Sequence, residues 1–164
     1  MKGKSEVLAA LNEMLKEELT AINQYMLHAE LQENWGFAKL GGFIKKQSIG
    51  EMMHAEQLIE RILFLEGMPT MDQLGKLHIG KNVKAQLEND LGLERGAVGD
   101  YNRAIEVCRK AGDNATADFL LVILKDEEQH VDFLEKQLTL IEQIGLQNYL
   151  VEQMGEGSKE QTPA

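Results

Sequence analysis

The segments SIGEMMHAEQL (residues 48–58) and KDEEQHVDFLE (residues 125–135) each contain a Glu and a His separated by two other residues. In an α-helix this spacing places both side chains on one face, so Glu51 with His54, and Glu127 with His130, can reach a common point. An isolated pair of this kind also recurs by chance on solvated surfaces. What the two pairs indicate therefore depends on where they lie relative to the apolar faces of their helices.

Both pairs lie on the predicted core face of a helix, because they share a register with apolar residues. In one segment the register runs through Leu120, Ile123, Glu127, His130, Leu134, Gln137 and Ile141. In the other it runs through Ile44, Gln47, Glu51, His54, Leu58, Arg61 and Leu65. Two further acids occupy such positions, namely Glu18 between Leu15 and Ile22 and Glu94 between Leu91 and Val98. Four carboxylates and two imidazoles are thus predicted to point into one core.

Burial of these carboxylates requires compensating charge. An unpaired buried carboxylate costs on the order of several kcal/mol, and four at one level also repel each other. Their charges match two divalent cations, and a mixed oxygen and nitrogen set suits Fe(II) or Mn(II) better than the tetrahedral sites of zinc. The alternative is a buried network of protonated or water-bridged acids, but core faces seldom carry six titratable groups in a twofold pattern. The sequence therefore predicts a di-metal centre.

Four long helices are predicted around these residues. They cover residues 5–34, with Ser5 as N-cap, and residues 37–65, 83–111 and 115–144. Residues 66–82 contain Gly and Pro and form a long connection, which at ~3.3 Å per residue can run the length of a ~44 Å bundle. Residues 146–154 predict a short fifth helix. One long crossover between helices 2 and 3 predicts an all-α, ferritin-like four-helix bundle.

The two halves of the chain match at a fixed offset of 76 residues. The matched pairs are Glu18 with Glu94, Tyr25 with Tyr101, Gly36 with Gly112, Glu51 with Glu127, His54 with His130 and Leu58 with Leu134. An internal duplication is the simplest explanation. We expect one di-iron bundle domain over residues 1–154 and a flexible C-terminal tail over residues 155–164.

Composition narrows the classes of function. The formal net charge of -10 argues against nucleic acid as a partner and suits cations. The single cysteine, Cys108, has no partner for an internal disulfide. Neither a signal-peptide pattern nor an apolar run long enough for a membrane span is seen. These features predict a cytoplasmic protein that does not bind membranes.

Several long stretches closely resemble bacterioferritins, and the resemblance extends over residues 1 to about 153. They are MKG (1–3), AINQYMLHAEL (21–31), NWGF (34–37), SIGEMMHAEQLIERILFLEGMP (48–69), LGKLHIG (74–80), KDEEQHVDFLE (125–135) and IGLQNYL (144–150). The resemblance implies iron storage in a hollow shell of 24 subunits built of dimers, either homogeneous or mixed with a second subunit type.

The resemblance also implies roles for the predicted ligands. Glu51 and Glu127 correspond to bridging carboxylates of a di-iron centre, and the terminal ligands correspond to Glu18, Glu94, His54 and His130. Such a ferroxidase oxidises two Fe(II) with dioxygen or hydrogen peroxide and deposits the Fe(III) as a mineral. Tyr25 corresponds to a tyrosine that donates an electron near the centre, although it also suits the role of a core aromatic residue.

A second cofactor is implied at the subunit interface. Met52 corresponds to the axial ligand of a b-type haem shared between two subunits, whereas Met53 points about 100° away around the helix. Several relatives carry a histidine and an acid where this chain has Lys46 and Gly50, so an inner-surface iron site is not expected in this chain. A small [2Fe-2S] ferredoxin is the expected reductant for iron release.

Two other functions remain open from the sequence. One is a non-catalytic or scaffold subunit of a mixed shell, which the presence of all six predicted ligands argues against. The other is a di-iron oxygenase or a rubrerythrin-like peroxidase. It fits less well because the chain has no C-x-x-C pair for a rubredoxin-type iron.

Overall fold

The computed structural model describes residues 1–155, which contain five α-helices and no β-strand. Helix α1 spans Ser5–Asn34, α2 Ala38–Phe64, α3 Val83–Lys110, α4 Asn114–Ile144 and α5 Leu146–Glu152. These bounds lie within one or two residues of the predicted ones, and the predicted fold class is confirmed. Residues 156–164, most of the predicted tail, lie outside the described residues.

The start of α1 differs from the prediction. There Lys4 occupies the N-cap position, because its carbonyl accepts the first backbone hydrogen bonds, and no side chain caps the helix. The prediction of Ser5 as N-cap was wrong, since its hydroxyl bonds the Glu6 carboxylate instead of a backbone N–H. Gly112 and Gly145 follow α3 and α4 with φ of 76° and 83°, a conformation that favours glycine.

Two antiparallel hairpins, α1 with α2 and α3 with α4, form the bundle. Contacts between α1 and α3 run in opposite directions along the two helices: Gln32, near the end of α1, bonds Gln86, near the start of α3, and Glu18, earlier in α1, is bonded by Tyr101, later in α3. Because α1 is therefore antiparallel to both α2 and α3, helices α2 and α3 run parallel. This is the arrangement that a full-length crossover requires.

The crossover, residues 65–82, lies along α1 and is held there by side chains of that helix. Four of its backbone N–H groups donate in succession to acceptors on α1. The donors are Thr70, Gly75, His78 and Gly80, and the acceptors are Asn12, Thr20, Gln24 and His28. These contacts satisfy backbone groups that no helix or sheet would otherwise satisfy.

A buried polar network anchors the end of the crossover between α1 and α3. His28 is fully buried and places Nδ1 2.8 Å from Asp90 Oδ1, while its Nε2 accepts the Gly80 N–H at 3.1 Å. That acceptance assigns the ring proton to Nδ1, which donates to the carboxylate. The Gln24 side-chain amide donates to the same oxygen at 2.8 Å.

The core of the bundle consists of two apolar clusters with a polar layer between them. One cluster includes Leu11, Leu58 and Leu120, and the other includes Ile44 and Leu134. The polar layer lies about halfway along each long helix, at the level of the predicted metal ligands. Within residues 1–155, no helix is both long and apolar enough to cross a membrane.

Candidate metal centre

The six side chains singled out by the sequence converge in the polar layer, although they come from four different helices. Five of them are buried, namely Glu18, Glu51, His54, Glu94 and Glu127. The side chain of His130 is 16% exposed to solvent. The helical register thus brings together all six residues that the sequence predicted to meet.

The six residues form two overlapping groups, each with four potential ligand atoms that lie within 4.8 Å of one another. The first group contains Glu18, Glu51, His54 and Glu127. The second contains Glu51, Glu94, Glu127 and His130. Both groups include the same two carboxylates, which therefore lie between two adjacent positions for a cation.

The imidazoles face these shared carboxylates from opposite sides. His54 Nδ1 lies 3.0 Å from Glu51 Oε2 and 3.1 Å from Glu127 Oε1. His130 Nδ1 lies 3.0 Å from Glu51 Oε1 and 3.4 Å from Glu94 Oε1. The ring centroids are 6.3 Å apart. Each half of the centre thus combines the shared carboxylates with one histidine and one further glutamate.

Three polar atoms at this point make no contact with hydrogen-bond geometry within the described chain, although each lies 3.0 or 3.1 Å from an oppositely charged neighbour. They are Glu51 Oε1, Glu127 Oε1 and His130 Nδ1, all inaccessible to solvent. Native proteins leave few such atoms, because desolvation without a partner costs on the order of 1–3 kcal/mol each. Glu51 Oε1 and His130 Nδ1 lie together on the His130 side of the centre, whereas Glu127 Oε1 faces His54. Together with four carboxylates and two imidazoles, they fit a pair of Fe(II) or Mn(II) ions.

The ionisation of the metal-free centre follows from its burial. Burial, reinforced by neighbouring negative charge, raises the pKa of Glu18 and of Glu94 well above the usual value. Burial acts in the same direction on Glu51 and Glu127, but contact with the two imidazoles outweighs it and lowers the pKa of both carboxyls. Burial alone would lower the histidine pKa values, yet the surrounding carboxylates raise both, that of His130 to about 12. Two ionised carboxylates thus face two imidazolium rings.

Two tyrosines hold the outer carboxylates. Tyr25, which the resemblance places near the centre, donates its hydroxyl hydrogen to Glu94. Tyr101 donates to Glu18 in the equivalent way. Burial raises the pKa of both phenols, so they remain neutral donors. Tyr101 was missed as a site residue, although its match to Tyr25 at the 76-residue offset would have identified it.

Asp126 is a further residue that the sequence analysis missed. Its Oδ2 lies 3.1 Å from His54 Nε2, the ring nitrogen that faces away from the shared carboxylates. The duplication gives no signal for Asp126, because Gly50 occupies the matching position in the first half.

Met52 lies outside this cluster, on the surface of α2. Its side chain is 45% exposed, and the exposed side chain of Ile49 precedes it by three residues on the same helix face. The neighbouring Met53 is also exposed. A thioether presented on an apolar surface fits an axial ligand shared across a subunit interface, as the resemblance implies for Met52.

Comparison with known proteins agrees with this geometry. Residues 8–144 match the ferritin-like domain family. A bacterioferritin of Mycobacterium bovis is 43% identical over 149 residues, which are 91% of this chain and 94% of the relative. Bacterioferritins of Rhodobacter capsulatus and Brucella melitensis are each 44% identical over 91% of this chain and 92% of their own length. The chain therefore belongs to the ferritin-like domain family and, within it, to the bacterioferritins.

Proposed function

We propose that this protein stores iron and acts as a ferroxidase, with the six converging side chains as ligands of a di-iron centre. The observation that carries this proposal is the pair of four-ligand groups that share Glu51 and Glu127. A single-ion site would not need a second histidine and a second terminal glutamate in the same arrangement. In a purely structural polar network, buried polar atoms normally make hydrogen bonds of good geometry, which three of the ligand atoms lack here.

Each residue has a distinct role in the proposed centre. Glu51 and Glu127 would be shared by the two ions, Glu18 and His54 would complete one position, and Glu94 and His130 would complete the other. A pair of Fe(II) ions bound there would give up one electron each, which matches the two-electron reduction of dioxygen to hydrogen peroxide or of hydrogen peroxide to water. The tyrosine hydroxyls orient the terminal carboxylates. Burial excludes bulk water, so the charges of the ligands act on the ions with little screening.

The direct test is aerobic oxidation of Fe(II) by the purified protein. Wild type is compared with Glu127→Ala, which removes a shared carboxylate, and with Glu128→Ala, which removes the neighbouring carboxylate outside the cluster. We expect the rapid oxidation phase to be lost only in Glu127→Ala. Equal rates in all three proteins would contradict the ferroxidase function and favour a scaffold subunit.

We further propose a 24-subunit shell in which iron is stored as mineral, with a b-type haem ligated by Met52 at the twofold interface. Size-exclusion chromatography tests the shell, because a particle near dimer size would be incompatible with it. For the haem, we expect a Soret band in wild type and in Met53→Leu, and its loss in Met52→Leu. Haem retained in Met52→Leu would contradict the assignment.

A further inference from the structure

The two histidines of the centre differ in the partner of the ring nitrogen Nε2, which faces away from the shared carboxylates. His54 directs Nδ1 at the shared carboxylates and Nε2 at Asp126 Oδ2, 3.1 Å away. A hydrogen bond from Nε2–H to a carboxylate fixes both the tautomer and the ring orientation, and it leaves the lone pair of Nδ1 for a metal ion. The ring of His54 is therefore held between an inner and an outer set of carboxylates.

His130 has no such outer support within residues 1–155. Its carboxylate neighbours are Glu51, Glu94 and Glu127, and all of them approach Nδ1. The position that matches Asp126 in the duplicated half is Gly50, which has no side chain. A Cβ atom at Gly50 would meet nothing within 4 Å, so no other group of the described chain occupies this space. The six ligands thus follow a twofold pattern, but the groups that contact the outer nitrogens of the two histidines do not.

We propose that Asp126 is a positioning residue for His54 and that the centre consequently has two unequal metal sites. The site formed by Glu18 and His54 with the shared carboxylates binds first and more tightly. The site that contains Glu94 and His130 binds second and more weakly, because its histidine must be oriented when the ion arrives. The inference rests on the di-iron centre proposed above and adds an order of filling to it.

The expected size of the asymmetry follows from the exposure of Asp126. Outer-shell partners of metal-bound histidines typically change metal affinity by about 10- to 100-fold. The side chain of Asp126 is 47% exposed, so solvent screens part of its interaction with His54. We therefore expect the metal affinities of the two sites to differ by about tenfold, which is near the lower limit of that range.

The test is a titration of the iron-free, assembled protein with Co(II), followed by the visible d–d absorption of the bound ion. The Glu127→Ala variant provides the baseline for cobalt bound elsewhere. We expect two affinity classes in wild type. Asp126→Ala should weaken the tighter class about tenfold, and Asp126→Asn, which keeps a hydrogen-bond acceptor, should weaken it less. Asp118→Ala, which removes an exposed acid from the same helix, should change neither class.

Gly50→Asp provides the complementary gain of function. It introduces a carboxylate where the duplication places one beside His130, and we expect it to tighten the weaker class, whereas Gly50→Ala should not. A single affinity class in wild type, a tighter class unchanged in Asp126→Ala, or a weaker class unchanged in Gly50→Asp would overturn the proposal. Absence of specific cobalt absorption in wild type would instead contradict the di-metal centre itself.

Discussion

Metal binding should release about four protons per chain at neutral pH. In the metal-free centre the surrounding carboxylates raise the pKa of His54 and His130, and both rings are expected to carry a proton. We also expect one proton on each of Glu18 and Glu94, because burial raises their pKa and because four ionised carboxylates beside two imidazolium rings would leave two buried charges uncompensated. These protons leave the centre neutral, with two ionised carboxylates facing two imidazolium rings. When two divalent ions bind, their four positive charges replace those of the four departing protons. The metal-bound centre is therefore neutral as well.

The number of protons fixes the pH dependence of binding. If four protons leave as two ions bind, the affinity for the pair rises by about four powers of ten per pH unit. The direction follows from the raised pKa values, since these groups hold their protons more firmly as the pH falls and compete better with metal. Loading should therefore fail progressively as the pH drops below neutrality.

Isothermal titration calorimetry measures the release directly. Co(II) is titrated at pH 7 in two buffers with different heats of ionisation, and the difference between the observed heats gives the number of protons. Glu128→Gln, which removes a carboxylate outside the cluster, should also release about four. A value near two would show that Glu18 and Glu94 are already ionised. A value near zero would refute the proposed charge balance between four protons and two divalent ions.

Two further predictions concern the crossover and the tyrosines. His28→Ala removes both hydrogen bonds of a fully buried ring and should destabilise the fold by about 2–4 kcal/mol, lowering Tm by roughly 4–16 °C. The exposed His78→Ala should melt like wild type in circular dichroism, and equal melting of both variants would contradict the anchoring role. If Tyr25 donates an electron, aerobic addition of iron should produce a tyrosyl radical that is detectable by EPR. The radical should be lost in Tyr25→Phe and kept in Tyr101→Phe. A signal that persists in Tyr25→Phe would exclude that role.

The helices and the convergence of the six side chains were predictable because both depend on local periodicity. A register of three and four residues fixes which face of a helix is buried, and the 76-residue offset places equivalent residues at one level in both hairpins. Residues 66–82 were recognised as a crossover from their length and from their glycine and proline content. The role of the six residues as metal ligands remains a prediction.

The contacts that the sequence did not reveal join residues far apart in the chain. His28 and Asp90 are separated by 62 positions, and each alone resembles an ordinary polar residue on a helix. Asp126 reaches His54 across 72 positions, and its duplicated counterpart is Gly50. Such pairs depend on the relative rotation and height of two packed helices, which periodicity within one helix does not determine.

The most direct test of the di-iron centre is a crystal structure of the protein loaded with Fe(II), with anomalous scattering recorded on both sides of the iron edge. We predict two anomalous peaks per chain, each within ligand distance of both Glu51 and Glu127, with one beside His54 and the other beside His130. A single peak, or iron found only on the surface of the bundle, would contradict the assignment of this cluster as a di-iron site.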